Sequence, residues 1–518
     1  MDTRLRVFTA IPTVALLGCG SAETFNGPEG AGPPPGSSTA APQCVQVDPS
    51  IAGPDGACGV FVSSALGSDE HPGTPEQPVR TLAKAFTLAL ESEGRVYACA
   101  EVFEEAAEVP AGVGLWGGLD CADGWAYTGV TEKTRIAPGV AGVIALRFLA
   151  GEGSSSVADV RAEAVSGAAP GESSIAALVE PGVEVVIERS ELYAGDGAAG
   201  AEGERGGGAD APERAADGVD GIDGGNACGA SVIPGAAAVV SVCDGVETIG
   251  GKGGNGRVTY GEDGEDGQPI PPQNPQQLGL GGYGENGIYD QCNSGQVGHA
   301  GRDGDHGLGA LGPGRITIAG WEGVKGQDGA DGLIGQGGGG GGGSRGPLYS
   351  ECGAGQLKGG ASGGSGGSGG CGGKGAKGGG SGGASIGLVC LSGEVTIRDT
   401  SITTNIGGEG GRGGLWQGGG YGGYGGARGL GPPGGGADGG CSAGAGGKGG
   451  NGGLGGGGLG GPTLGIAHVT GIATVTERVV FSLGRAGRGG AGGSPFVTLP
   501  GTAGEDGLQA NVHEFTMP

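Results

Sequence analysis

Aromatic residues are scarce, at 4% of 518 residues, so a large aromatic core is excluded. Charged residues reach only 16%, too few for a highly charged disordered chain. Basic residues are outnumbered: 28 Lys and Arg oppose 55 Asp and Glu, for a net charge of -27. Nucleic acid is therefore excluded as a partner, because phosphate binding needs a basic footprint. The five histidines, His71, His299, His306, His468 and His513, form no H-x-x-x-H or H-E-x-x-H pair. Neither a C-x-x-C nor a G-x-x-x-x-G-K-[ST] phosphate loop occurs. What abounds is glycine, 138 residues, joined by 29 prolines. A dominant helical bundle is excluded by that excess, since each interior Gly costs about 1 kcal/mol relative to Ala.

The amino end carries Arg4 and Arg6 before an apolar stretch from Val7 to Leu17. Eleven residues fall short of the about 20 that span a bilayer, and a secretory signal fits them. Leu16-Leu17-Gly18-Cys19 resembles the lipobox of bacterial lipoproteins, which implies acylation of Cys19 and removal of residues 1–18. Ordinary cleavage after Gly20-Ser21-Ala22 is the alternative. Gly20, in place of the Asp that retains such proteins at the inner membrane, implies an outer-membrane, surface-exposed location. Residues 19–43 have the Pro, Gly and Ser composition of a tether.

Beyond Cys19 lie eleven cysteines, which in an exported chain read as disulfides. Sequence proximity suggests Cys44 with Cys58, Cys99 with Cys121, Cys228 with Cys243, Cys292 with Cys352 and Cys371 with Cys441, although connectivity is not deducible from spacing. The odd residue is expected to be Cys390, in the apolar run SIGLVCLSG, where a small thiol packs well.

Residues 44–200 have globular composition. Phe61-Val62-Ser63, Gly67-Ser68-Asp69, Pro72-Gly73-Thr74 and an amphipathic stretch from Val79 to Glu91 precede Arg95-Val96-Tyr97 and Leu115-Trp116-Gly117-Gly118. This succession resembles the opening module of bacterial right-handed parallel β-helix proteins, the pectin-lyase-like fold. The resemblance implies an all-β chain whose helix caps the first coil. Leu82, Ala85, Phe86 and Leu90 recur at helical spacing and are expected to form the covering face. Residues 182–192 align without a gap on 471–481, and 393–402 joins them with one deletion. Each copy reads as one coil, and coils so distant in sequence must stack in space. The expected order is N-terminal β-helix at 44–200, coils at 384–406 and 462–518, and Gly-rich insertions at 201–383 and 407–461.

Between 201 and 380 only 24 of 180 residues are Val, Ile or Leu, and none is Phe. Glycine there recurs every third residue, at 295–307 and 320–335, while GGSGGSGGCGGKG and GGKGGNGGLGGGGLGG follow a G-G-x pattern. Period three is that of the polyproline II helix, which has no internal hydrogen bonds. Extended glycine helices packed side by side satisfy it; flexible loops extruded from the coils are the alternative.

Chemistry-bearing residues are sparse. His299, Asp303, Asp305 and His306 form the densest polar group, whose commoner role is a solvated edge. Acidic triplets at 261–267 and 327–332 could offer oxygens to calcium, but match no known calcium loop and serve equally as a charged edge. Glu188-Arg189, Arg398-Asp399 and Glu477-Arg478 would align on stacking, as an ion-pair ladder or as the acid and base cluster of a β-helix polysaccharide lyase or hydrolase. No catalytic residue and no cofactor is assigned. These features together point to a glycine-rich, non-catalytic surface lipoprotein, a structural or adhesive scaffold. Its partners would be the membrane through the lipid anchor and extracellular polysaccharide or cell-surface proteins.

Overall fold

The computed structural model describes residues 48–516, except 55–57, 93, 348–350, 354–356, 392–393, 434–437, 470–473 and 495–498. Cys19, Cys44 and the lipobox-like amino end lie outside the described residues.

β-Branched runs separated by Gly turns make three parallel sheets, which the chain visits in rotation from Arg95 onward. The first sheet stacks Val60–Val62, Arg95–Cys99, Gly114–Asp120, Gly153–Ala158, Val183–Glu188, Val395–Arg398 and Thr474–Glu477, and the short Ala126–Tyr127 pairs antiparallel with its third strand. Val102–Phe103, Thr134–Ile136, Val160–Ala164, Glu191–Ala194, Ser401–Thr404 and Val480–Ser482 form the second. Ala107–Val109, Leu146–Phe148, Ser174–Val179, Ser385–Cys390, Thr463–Val469 and Gln509–Phe515 form the third. The distant sequence repeats pair in register, with Val185 against Val395 and Val395 against Thr474. Alternate residues of the strands point inward, so that Val96, Leu115, Val157, Ile187, Leu146 and Ile466 are buried in one continuous core.

One helix, Leu82–Leu90, packs on the first coil. Thr81 caps it by accepting the Lys84 N–H at 3.2 Å. Asp69 of the Gly-Ser-Asp loop fixes the helix start by accepting the Arg80 and Thr81 N–H groups, both at 2.9 Å. Its buried face is Leu82, Ala85, Phe86 and Ala89. Leu90, expected there, is 60% exposed, because a stripe through 82, 85, 86 and 89 leaves position 90 on the next face.

Every Gly-rich block leaves the stack at one corner, between a second-sheet strand and the following third-sheet strand. The blocks span 195–384, 405–462 and 483–508; the third of these falls inside what the sequence suggested was a terminal coil and tail. Part of the first block, Arg315–Thr317 paired with Gly320–Glu322, folds back so that Ile316 and Trp321 cover the outer face of the third sheet against Ile175, Leu178 and Ile386.

Among the described residues the disulfides are Cys99–Cys121, Cys228–Cys352, Cys243–Cys371 and Cys292–Cys441. Cys58 is also disulfide-bonded. The pairings Cys228–Cys243, Cys292–Cys352 and Cys371–Cys441 suggested by proximity are thus incorrect. Cys243 ends a strand whose hairpin partner is Val246, and its spatial neighbour is a glycine segment 128 residues away. Cys390 is free and wholly buried, and burial pushes its thiol up to about 12.

Candidate functional surface: the glycine bundle

The Gly-rich blocks form a laterally bonded bundle of extended segments. Residues 197, 200, 203 and 206 donate their N–H groups to the carbonyls of 406, 409, 412 and 415 in turn. The segment starting at Gly407 passes the pattern on, with Gly407 and Gly410 bonding to Arg485 and Arg488. Three residues per turn give each segment three edges, and each edge meets a neighbour once per turn.

At the centre run seven consecutive glycines, 337–343. Their N–H groups go in rotation to three segments: Gly337 and Gly340 to Gln268 and Glu265, Gly338 and Gly341 to Gly367 and Gly364, Gly339 and Gly342 to Gln296 and Asn293. Their carbonyls accept from three others: Gly338 from Gly251, Gly339 from Gly444, Gly340 from Gly282. Six neighbours surround this segment, so no edge has room for a side chain. A Cβ on Gly337 would lie 1.8 Å from the Ile249 carbonyl oxygen, and one on Gly340 1.9 Å from that of Lys252. None of the seven has a positive φ, so glycine is required here for space rather than for conformation.

This geometry explains the two glycine patterns. Segments with one edge that has room for a side chain, such as 359–384 and 440–461, keep a residue other than Gly about every third position; segments at the rim, such as 295–310, need Gly only once per turn. Where the side chain on that edge is small and polar it completes the lattice. Ser362, Ser365 and Ser368, all fully buried, accept the N–H groups of Gly225, Ile222 and Val219 at 2.7, 2.9 and 2.7 Å.

The acidic residues do the same at the rim. Asp217, Asp220, Asp223 and Asn226 accept the N–H groups of Tyr421, Tyr424, Ala427 and Leu430 at 2.7, 2.7, 2.7 and 2.8 Å. In the triplets considered for calcium, Asp263 and Asp266 accept from Gly284 and Gly281, each at 2.7 Å, and Asp328 and Asp331 from Gly378 and Gly375 at 2.9 and 2.8 Å. The Gly378 N–H and the Lys377 ammonium hold the Asp328 carboxyl below the usual carboxylate range. Burial acts to raise Asp331, but the Lys374 ammonium and the Gly375 N–H outweigh it, and its pKa is also lowered.

The polar group at 299–306 separates onto two edges. Arg302 pairs with Asp305 at 2.9 Å on the solvent edge, whereas Asp303 and the Nδ1 of His306 accept the N–H groups of Asn451 and Leu454 at 2.6 and 3.0 Å. His299 turns its Nδ1 to the Ala300 carbonyl oxygen at 2.7 Å. No proton-transfer pair forms.

On the coil stack, the charged repeats do align. Arg398 lies between Glu188 at 3.1 Å and Glu477 at 3.2 Å. At the next position Asp159, Arg189, Asp399 and Arg478 all adopt positive φ and alternate in sign up the corner. Arg189 binds Asp159 at 2.9 Å and Asp48 at 3.0 Å, and Arg478 pairs with Asp399. Both arginines that a lyase would need free, Arg189 and Arg398, are engaged by carboxylates.

A cleft of about 710 Å3 opens beside 207–212, Val242, Asp244, Lys374 and Gln417. Lys374 is held by Asp331 at 2.8 Å and Asp244 at 3.0 Å, and these carboxylates raise its pKa. Among the described residues no group of His, Cys, Asp or Glu could hold a metal ion, and no helix is long and apolar enough to cross a membrane. Sequence reasoning missed the Ser and Asp columns as lattice acceptors; their strict three-residue spacing beside the glycines was the signal. Comparison with family models, curated proteins and solved structures finds no match to this chain.

Proposed function

We propose that the protein is a non-catalytic scaffold on a bacterial surface: a right-handed parallel β-helix, lipid-anchored in the outer membrane through Cys19, that carries the glycine bundle outward as an adhesive or structural body toward polysaccharide or cell-surface proteins. One observation carries the non-catalytic part: the charged columns that could have formed a reactive centre are consumed in pairing and in lateral capping. Arg398 is clasped by Glu188 and Glu477, and the Asp217 to Asn226 column accepts backbone N–H groups.

Two experiments test the reading. Changing Cys19 to Ser should release the protein from membranes, and unchanged fractionation refutes the anchor. A glycan and cell-surface binding screen should find a ligand without turnover. New reducing ends or unsaturated products from a polysaccharide, abolished by Arg189→Ala or Arg398→Ala, would establish an enzyme instead.

A further inference from the structure

The rim column that faces Asp217, Asp220, Asp223 and Asn226 is Tyr421, Tyr424, Ala427 and Leu430, one residue per turn of its segment. All four are exposed, Tyr421 at 53% and Tyr424 at 78%. The lattice makes no use of the two rings. It takes only their backbone: each N–H goes to an Asp, and each carbonyl oxygen accepts from Gly218 or Gly221. Other half-exposed tyrosines are engaged within the molecule, as where Tyr283 stacks on Tyr289 with ring centroids 4.9 Å apart. Among the described residues the Tyr424 ring meets no other ring and no cation, while Arg214 lies over the Tyr421 ring at 3.8 Å and holds it in place.

The spacing of the rings follows from the segment. One turn of three residues, at a rise of about 3.1 Å each, sets them about 9 Å apart on one edge. Bonds to the neighbouring segments fix that repeat before any ligand arrives, so binding carries little ordering cost. Alongside, Asp217 and Asp220 each spend Oδ1 on the backbone. Among the described residues neither carboxylate meets a cation, which leaves Oδ2 as an acceptor beside each ring.

We propose that this edge binds a neutral β-1,4-linked polysaccharide laid along the bundle. A pyranose presents an apolar C–H face that packs on an aromatic ring, and its hydroxyl groups donate to carboxylates. In an extended β-1,4-linked chain alternate sugars turn the same face to one side, so the stacking unit is a disaccharide, close in length to one turn of the segment. An α-1,4-linked chain coils and loses that match. Polyuronates are disfavoured by the Asp column, because like charges face each other. The inference rests on the polysaccharide partner of the scaffold reading and gives that partner a site, a charge and a linkage.

The test uses the full chain carrying Cys19→Ser, so that no acyl group interferes. Calorimetry should show binding of cellohexaose or mannohexaose, with the corresponding disaccharide at least about 10-fold weaker because it reaches only one ring. Maltohexaose and polygalacturonate should not bind. Tyr424→Ala should raise the Kd about 10-fold or more with an unchanged melting temperature, whereas Tyr424→Phe should bind like the parent, since the ring face makes the contact. Tyr283→Ala, away from this edge, should also bind like the parent. Failure of both hexasaccharides to bind, equal affinity for maltohexaose, or a Tyr424→Ala variant with the parent's affinity would overturn the proposal. The scaffold reading is tested separately: a cell-surface ligand that still binds Tyr424→Ala would leave that reading standing and overturn this site.

Discussion

The Asp220 carboxylate accepts the backbone N–H of Tyr424 at 2.7 Å, across 204 residues of sequence, and Asp217, Asp223 and Asn226 repeat the contact with the same separation. A side-chain oxygen here stands where the carbonyl of another glycine segment would stand inside the bundle. Asp220→Ala should therefore destabilise the protein by about 1 kcal/mol, the net worth of one hydrogen bond. Asp220→Asn should be close to neutral, since Asn226 already makes this contact. Urea unfolding of the two variants separates a lattice acceptor from a solubilising charge, which would make both substitutions equally mild.

Interior glycines should be intolerant in proportion to the neighbours they touch. Gly340→Ala drives a Cβ to within 1.9 Å of the Lys252 carbonyl oxygen, and we expect a loss of about 3 kcal/mol from overpacking. Gly287, with no heavy atom within 4 Å of an added Cβ, should accept Ala with no measurable change. Thermal melts of the pair check the contrast; equal effects would contradict a close-packed lattice.

Acid should loosen the bundle through Asp328 and Asp331. Both carboxyls have folded pKa values below the unfolded value of about 3.9, so their stabilisation is present above that pH and disappears as pH falls through the lower folded values. Double substitution to Asn should flatten the decline of stability below about pH 4, while leaving the profile at neutral pH parallel to that of the parent. Melting temperature against pH is the measurement, and a steeper acid decline in the variant would count against the assignment.

Cross-links should follow the lattice. Peptide mapping without reduction is expected to recover Cys228–Cys352, Cys243–Cys371 and Cys292–Cys441, and no Cys228–Cys243 peptide. Replacing Cys243 and Cys371 with Ser should cost about 4 kcal/mol, because the bridge closes a loop of 128 residues. Cys390, with its thiol pushed up to about 12, should react with thiol reagents only on unfolding.

The sequence made the coils legible because each carries its own local signal. The repeats at 182–192, 393–402 and 471–481 fall on the first-sheet and second-sheet strands, and Asp69 of the Gly-Ser-Asp loop does hold the helix start. Period-three glycine was equally visible, but not which segment faces which. That information lies in the absence of side chains, and an absence is the same wherever it occurs: nothing local distinguishes Gly338, bonded to Gly367, from Gly339, bonded to Gln296. The disulfides were misassigned for the same reason, since partners are set by lateral position and not by distance along the chain. The third glycine block, 483–508, was hidden by its shortness.

The placement of all three blocks at one corner bears on the order in which the chain can fold. The early coils, up to Ala194, contain only near neighbours and can assemble as soon as they exist, whereas the central run 337–343 is surrounded only when 440–461 has arrived to bond Gly339 and Gly342 from the far side. Between these events some 190 residues of glycine-rich chain must wait, with little hydrophobic contact beyond Ile316 and Trp321 to hold them, for a partner not yet in place. A chain interrupted before residue 440 would thus own the coils up to Thr404 but neither the strands from Thr463 onward nor a closed bundle, and the bundle should close late, in one cooperative step, with the slow rate that such long-range closure imposes.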